Sequence, residues 1–495
     1  MANTEFKPDE IQGIIVSGYA HLLYSAYLFL RFGEIGAGKQ WLAEIAKETT
    51  TSQYDKSSDG SPLKPDCALN IAFTCEGVRA LGYPPDSLAT FAEEFRQGMV
   101  EQSRSRRLGD TGPNAPDKWE IGGTQGSQDP ASAPGQIDVL LILQSKTQDE
   151  LRAFCDAHKE RFSRCGLIEA APKQVGYLAP DGKEHFGFTD GISQPEIEGS
   201  PKKTKYDDAP IVAGEFLLGY KNSYGSFPPT PTVPATADPF NNLRLSADEP
   251  GARDFGENGS YLVFRKLEQD VAGFRRYFRD NFSDPTQCAL MQAKFVGRWQ
   301  DGTPLALSPL SPDPKLTAAP QNNRFLYADK DPQGFGCPIG SHIRRTNPRD
   351  SVRADPHGSL VSVNRHRIIR RGVSYGERLP ADTYTDDGKP RGLLFFCINA
   401  DIQRQFEFVQ QTWVNDPKFH GLYNDPDPLI ANNGARYGEP IDPSSTDSYN
   451  MTVQSYPVRT RLTGIPRFVT VRGGAYFFLP SISALYFLAG VKKHL

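Results

Sequence analysis

A chain of 495 residues with 38% hydrophobic side chains is too long for one ordinary core and apolar enough to build two. Its formal charge of -4 argues against wholesale binding to nucleic acid or to an anionic membrane surface. No run approaches the roughly 18 consecutive apolar residues of a membrane-spanning helix.

Taken in order, residues 25–32 read as a buried strand, 37–49 as a helix, and 68–74 as a strand leading into a short helix. Residues 136–144 form the next strand, with Ile137, Val139, Leu141 and Leu143 on one side, and Thr147 with Glu150 makes a capping box that opens a helix to about Phe162. Polar stretches at 103–132 and 223–258 read as loops, the second a proline-rich linker between two halves. After it, 259–266 is a strand feeding a helix over 268–281, 393–399 a strand feeding a helix over 401–413, and 475–479 a late strand. Strand-helix-strand units occurring twice per half predict an α+β protein of two ferredoxin-like (βαββαβ) units, one in residues 1–230 and one in 250–495.

Seven cysteines (Cys67, Cys75, Cys155, Cys165, Cys288, Cys337, Cys397) lie scattered without a Cys-x-x-Cys pair. Neither a disulfide framework nor a zinc site predicts that, so they read as mostly buried thiols. Residues Met1 to Lys7 have no basic stretch leading into an apolar core, so no secretory leader is expected. That points to the cytoplasm, or to a secreted form already trimmed.

Three segments carry chemistry. The first is Gly187-Phe188-Thr189-Asp190-Gly191, within Phe186 to Pro195. Glycines on both sides let the backbone turn tightly and approach a flat partner, although such a string is also an ordinary turn. The second is Gly336-Cys337-Pro338-Ile339-Gly340-Ser341-His342-Ile343-Arg344-Arg345, and the third runs from Asn364 through Arg370 to Tyr375-Gly376. Together and in this order they resemble the dye-decolorizing peroxidases, a haem enzyme family, and the resemblance extends over most of the chain. It implies the family's dimeric α+β barrel, a haem b cofactor, and reduction of H2O2 through a ferryl porphyrin-radical intermediate with one-electron oxidation of dyes and phenols.

The same resemblance implies roles. His342 becomes the proximal iron ligand, with Asp427 as the acidic partner of its second ring nitrogen. Arg344 and Arg345, two and three residues on, would meet the propionates by charge-assisted hydrogen bonds, and Arg367 is a further candidate. Asp190 is the distal general base that shuttles the peroxide proton. Arg370 stabilises the departing oxygen, a donor worth roughly 3 to 4 kcal/mol in other enzymes. Leu394 and Phe396, alternating on one strand, would form an apolar distal wall. Tyr375 and Trp413 are candidates for passing electrons to bulky dyes at the surface, and Glu377, Asp382, Asp386 and Asp387 offer hard oxygen to Mn(II). An aspartate base predicts activity below roughly pH 6.5, where a histidine base would be protonated.

Two alternatives stay open at this point. A haem-handling protein would share the fold without needing a distal acid–base pair. The cluster Arg365, His366, Arg367, Arg370 and Arg371 would suit a nucleic acid, but it lacks interleaved aromatics and a basic surround. The physiological reductant and the oligomeric state are not legible.

Overall fold

The computed structural model describes residues 5–54, 63–124, 136–203, 209–431 and 449–493. Strand β1 (Tyr24–Phe32) is followed by helix α1 (Ile35–Glu48), whose first turn is fixed by Glu34 accepting from the Gly36 and Ala37 amides. Strands β2 (Cys67–Phe73) and β3 (Val139–Ser145) precede helix α2 (Gln148–Arg164). The expected capping box is present: the Glu150 amide donates to Thr147 Oγ1, and the Thr147 amide to Glu150 Oε2. Strand β4 (Leu167–Tyr177) completes a βαββαβ unit. Its alternation of buried and exposed residues is weak, which is why the sequence did not reveal it.

The second unit repeats this with β5 (Ser260–Gln269), α3 (Val271–Asn281), the short β6 (Ile369–Arg370) and β7 (Val373–Tyr375), β8 (Gly392–Asn399) and β9 (Val469–Leu479). Neighbours run β4-β1-β3-β2 in the first unit and β9-β5-β8-β7 in the second, all antiparallel. This is the ferredoxin-like order occurring twice. The units join at two narrow seams, Phe478 opposite Phe73 and Ser374 opposite Tyr177, and β7 pairs with both β4 and β8, so the sheet closes into a barrel.

Closure explains the apolar runs. Every residue of β3 is buried, because one face looks into the barrel and the other is covered by helices. The interior is filled by Tyr27, Phe29, Leu140, Ile142, Phe264, Leu394, Phe396 and Phe477. On the outside of the first unit Trp41, Leu42 and Ile45 of α1 pack with Leu28 and Leu30 of β1, and on the outside of the second Phe274 and Phe278 of α3 pack with Phe468, Val409 and Trp413. Large apolar side chains buried in this way contribute roughly 1.5 to 3 kcal/mol each.

The structure departs from the sequence reading in two places. Residues 223–258 are not a free linker: Thr232–Pro234, Arg244–Leu245 and Ala252–Asp254 form a small sheet, and Val233 and Leu243 between the prolines, with Phe255 after the last of them, anchor it in the outer core. The stretch 103–132 includes the helix Gln102–Leu108, whose Arg104 is buried on Glu407 at 2.6 Å, and its residues 125–132 lie outside the described part. The expected helix over 401–413 is present but wound wider, π-helical over Gln403–Glu407 and Val409–Val414, with amide bonds five residues back from Glu407 to Ile402 and from Asn415 to Gln410. All seven cysteines are free and four are buried.

Candidate active site

The turn after β4 carries Asp190. Gly187 (φ +98) and Gly191 (φ +78) take left-handed backbone there, which glycine adopts without the usual side-chain penalty. The Asp190 amide donates to the Gly182 carbonyl at 2.9 Å, and its Oδ1 accepts from the Gly191 amide at 2.6 Å. Arg370, at the end of β6, comes to the same place from the other unit. Its Nη1 lies 3.5 Å from Asp190 Oδ1, its Nη2 donates to the Ile192 carbonyl at 2.7 Å, and its amide donates to Gln194 Oε1 at 3.1 Å. The two side chains are 44% and 36% exposed, open to a small molecule, and so loosely paired that they add little to stability.

His342 opens the short helix His342–Thr346. Its Nδ1 is 2.9 Å from Oδ2 of Asp427, which is fully buried, while Oδ1 of that carboxylate accepts from the Leu429 and Ile430 amides at 2.9 and 3.0 Å. Burial pushes the Asp427 carboxyl up. The charge and hydrogen bond of His342, joined by Arg345, outweigh this and hold it below the usual carboxylate range. The ring is half-buried, and its Nε2 makes no hydrogen bond among the described residues.

A shared frame ties the two sides together. The Thr189 amide and hydroxyl donate to the Gln300 carbonyl at 3.2 and 3.1 Å, and six residues earlier the Lys294 carbonyl accepts from Ser341 Oγ at 2.5 Å. The wide helix does the same from another direction: Gln405 Nε2 donates to the Arg367 carbonyl at 2.7 Å, and the Trp413 carbonyl accepts from Arg345 Nη1.

Arg344 and Arg345 do not point to this region. Arg344 is 1% exposed, with Nη1 on Asp331 Oδ2 at 3.3 Å and on the Cys337 carbonyl at 2.8 Å, and its guanidinium lies 4.2 Å over the Tyr327 ring. Arg345, fully buried, donates to the carbonyls of Trp413, Asp416 and Asp425. Both brace the loops behind His342, with Arg344 Nε and Nη2 and Arg345 Nε left without a hydrogen bond among the described residues. Position 344, two residues on, lies on a different face of the helix from His342, whereas Arg345, three residues on, stays on the neighbouring face beside Asp427 but is taken up by the three carbonyls. Arg367 stays on the Asp190 side, its Nη2 donating to the Ser193 carbonyl at 2.9 Å.

The distal wall needs a correction of parity. Cys397 pairs with Arg370 and Ile398 with Ile369, and directly opposed residues share a face. Ile398, Leu394 and Phe396 belong to the barrel interior, where Phe396 stacks on Tyr27 at 4.6 Å. The face that carries Arg370 therefore carries Leu393 and Phe395, both half-buried. Alternation on a strand covered on both sides cannot tell one face from the other, and a slip of one residue reverses it.

The remaining candidates fare differently. Tyr375 and Trp413 are each 7% exposed, so neither is a surface contact. Lys266 Nζ sits 5.0 Å over the Tyr375 ring, and burial pushes its phenol up; Trp413 packs edge-on to His366 at 5.2 Å. The acidic loop does not assemble a cation site: Glu377 pairs with Lys389 and Asp387 with Arg391, Asp386 accepts from the Gly388 amide, and Asp382 is exposed. Among the described residues no three His, Cys, Asp or Glu side chains are grouped to hold a metal ion. No described helix is long and apolar enough to cross a membrane. Arg371, part of the basic cluster, is taken up by the N-terminal segment: Nε and Nη2 donate to the Ile14 and Ile15 carbonyls at 2.6 and 2.9 Å, and burial holds it down to about 10. A cluster committed in this way offers nucleic acid little.

A duplicated ferredoxin-like barrel with a carboxylate–guanidinium pair and a carboxylate-backed imidazole hung on one frame is the architecture of a haem peroxidase. No family model matches the chain, but individual proteins do. A dye-decolorizing peroxidase of Mycena epipterygia is 32% identical over 516 residues, covering 97% of this chain and 86% of its own. A multifunctional dye peroxidase of an Amycolatopsis species is 34% identical over 509 residues, covering 96% and 95%. The chain belongs to the dye-decolorizing peroxidase family, whose members are oxidoreductases acting on peroxide. A solved dye-decolorizing peroxidase in complex with 2,6-dimethoxyphenol superposes with a TM-score of 0.76 at 25% identity, over 98% of this chain and all of that one.

Proposed function

We propose that this protein reduces H2O2 with Asp190 as the proton shuttle and Arg370 as the charge stabiliser, and oxidises phenols and dyes with the equivalents so gained. The observation that carries this is the meeting of Asp190 and Arg370 at 3.5 Å from separate units. A haem carrier has no use for such a pair, which favours turnover over mere haem handling.

The residues fit a haem. Asp427 occupies His342 Nδ1 and leaves Nε2 as the nitrogen open to a metal, and a buried carboxylate there strengthens the imidazole as a donor. Arg367, half-buried beside Ser193, would hold a propionate by a charge-assisted hydrogen bond, and Leu393 and Phe395 would line the apolar side. A non-covalent haem b suits a chain with no Cys-x-x-Cys-His attachment sequence. When bound, it supplies the iron at which the O–O bond is broken.

The chain's own chemistry is acid–base and electrostatic. Asp190 takes a proton from one peroxide oxygen and returns it to the other as that oxygen departs. The Arg370 guanidinium, pinned by the Ile192 carbonyl while Gln194 holds the backbone amide, donates to the charge growing on the leaving oxygen. The test is an absorption spectrum of hemin-reconstituted protein beside His342→Ala. A Soret band lost or strongly shifted in the variant is expected, and an identical band would overturn the assignment.

A further inference from the structure

Between β4 and Asp190 lies a carboxylate that the acid–base chemistry does not use. Glu184 Oε2 accepts from the Phe186 amide at 2.9 Å and from Gln269 Nε2 at 2.8 Å, and its Oε1 accepts from the Phe188 amide at 2.9 Å. Its backbone closes the same turn, the amide donating to the Phe188 carbonyl and the carbonyl accepting from the Gly187 amide, both at 3.0 Å. One side chain thus gathers two amides within four residues of Asp190 and a side-chain amide from the far end of β5 in the other unit. Phe186 and Phe188 lean on Phe274 at 4.5 and 6.5 Å, so the turn is packed on one side and hydrogen-bonded on the other. Burial pushes the Glu184 carboxyl up, with the nearby charge of Asp190 adding to the effect. Half-buried, with three donors on its two oxygens, Glu184 is a well-satisfied carboxylate.

We propose that Glu184 is the positioning residue of Asp190, clamping the 184–190 turn of the first unit onto Gln269 of the second so that the base stays opposite Arg370. Placement of the reacting group is the quantity at stake, since a displacement of about 1 Å can change a rate by about a hundredfold. The inference rests on the peroxidase reading above.

Glu184→Gln keeps the size but sets an N–H against one of the amides it now accepts. It is expected to lower kcat/KM for H2O2 by roughly tenfold to a hundredfold while leaving kcat/KM for 2,6-dimethoxyphenol unchanged, and Glu184→Asp should recover part of the loss. In an Asp190→Asn background the same change should have little further effect, because it acts through the side chain already removed. Independently of turnover, amide hydrogen exchange at Phe186 and Phe188 should quicken on the order of tenfold in Glu184→Gln, with or without haem. Gln269→Met removes one of the three donors and should slow the peroxide reaction about threefold; it decides the matter if Glu184→Gln does not fold. Equal loss for both substrates, full additivity with Asp190→Asn, or no change in Gln269→Met would overturn the proposal. Were Asp190→Asn itself without effect, the peroxidase reading would fall instead.

Discussion

The two sides of the site are built on opposite principles. Around Asp190 and Arg370 the reacting groups are partly exposed, paired at only 3.5 Å, and fixed through their neighbours. Around His342 the polar groups are buried and bonded directly: Asp427 accepts from the ring and from two amides, and Arg345 is held by three carbonyls. A base and a charge stabiliser must stay open to a small molecule, whereas an anchoring ligand gains from immobility. Removing a group from the open side should therefore cost rate, and from the closed side stability and cofactor retention.

The largest expected effect lies on the open side. Asp190→Asn should slow the reaction with H2O2 by about 10²- to 10⁴-fold in a stopped-flow assay, with the thermal midpoint scarcely moved; a parallel loss of stability would erase the contrast. On the closed side, Arg345→Leu strands buried carbonyl acceptors and should reduce stability by about 3 kcal/mol in a denaturant titration, with the peroxide kinetics of the folded fraction kept. Asp427→Asn should weaken haem retention about 10- to 100-fold in a transfer assay to a haem acceptor.

The contrast extends to pH. Burial holds His158, His185 and His366 below the usual imidazole range. A depressed folded-state value gives stability that is complete above the unfolded value, roughly pH 6.5, and lost as pH falls below it. The midpoint of thermal unfolding should thus decline from about pH 6.5 downward, less steeply in His185→Gln. The peroxide reaction should persist there if the proposed base, Asp190, is the one at work, since a carboxylate stays ionised where an imidazole is protonated. Smallest of all, Tyr375→Phe should change dye oxidation less than about twofold and leave stability unchanged or slightly raised, since the buried hydroxyl has no hydrogen-bond partner among the described residues; a large loss with a bulky dye alone would restore Tyr375 as an electron relay.

Much of this was legible in advance for identifiable reasons. The capping box at Thr147 and Glu150, the apolar strands and the doubled element order are local signals, and each is present in the structure. Asp190, Arg370 and His342 were singled out by motif order and Asp427 by a looser resemblance, and the fold brings the four together in two pairs. Side-chain direction was not legible. Arg344 sits on another helix face from His342, Arg345 is drawn off by carbonyls distant in sequence, and Leu394 and Phe396 face inward because β8 is apolar on both sides. The proline-rich stretch around 223–258 hid a small sheet, since three apolar residues among many prolines suffice to anchor it. Glu184 passed unnoticed because a lone acid near a turn looks like solvent-facing polarity until its three donors are seen.

The seams of the barrel bear on how the chain must be made. Each unit covers its outermost strands only with those of the other, through Phe478 against Phe73 and Ser374 against Tyr177. Expressed alone, either half would present two bare strand borders, ready templates for self-association. The halves are thus each other's chaperone, and cutting the gene in two should yield insoluble fragments that dissolve only when synthesised together.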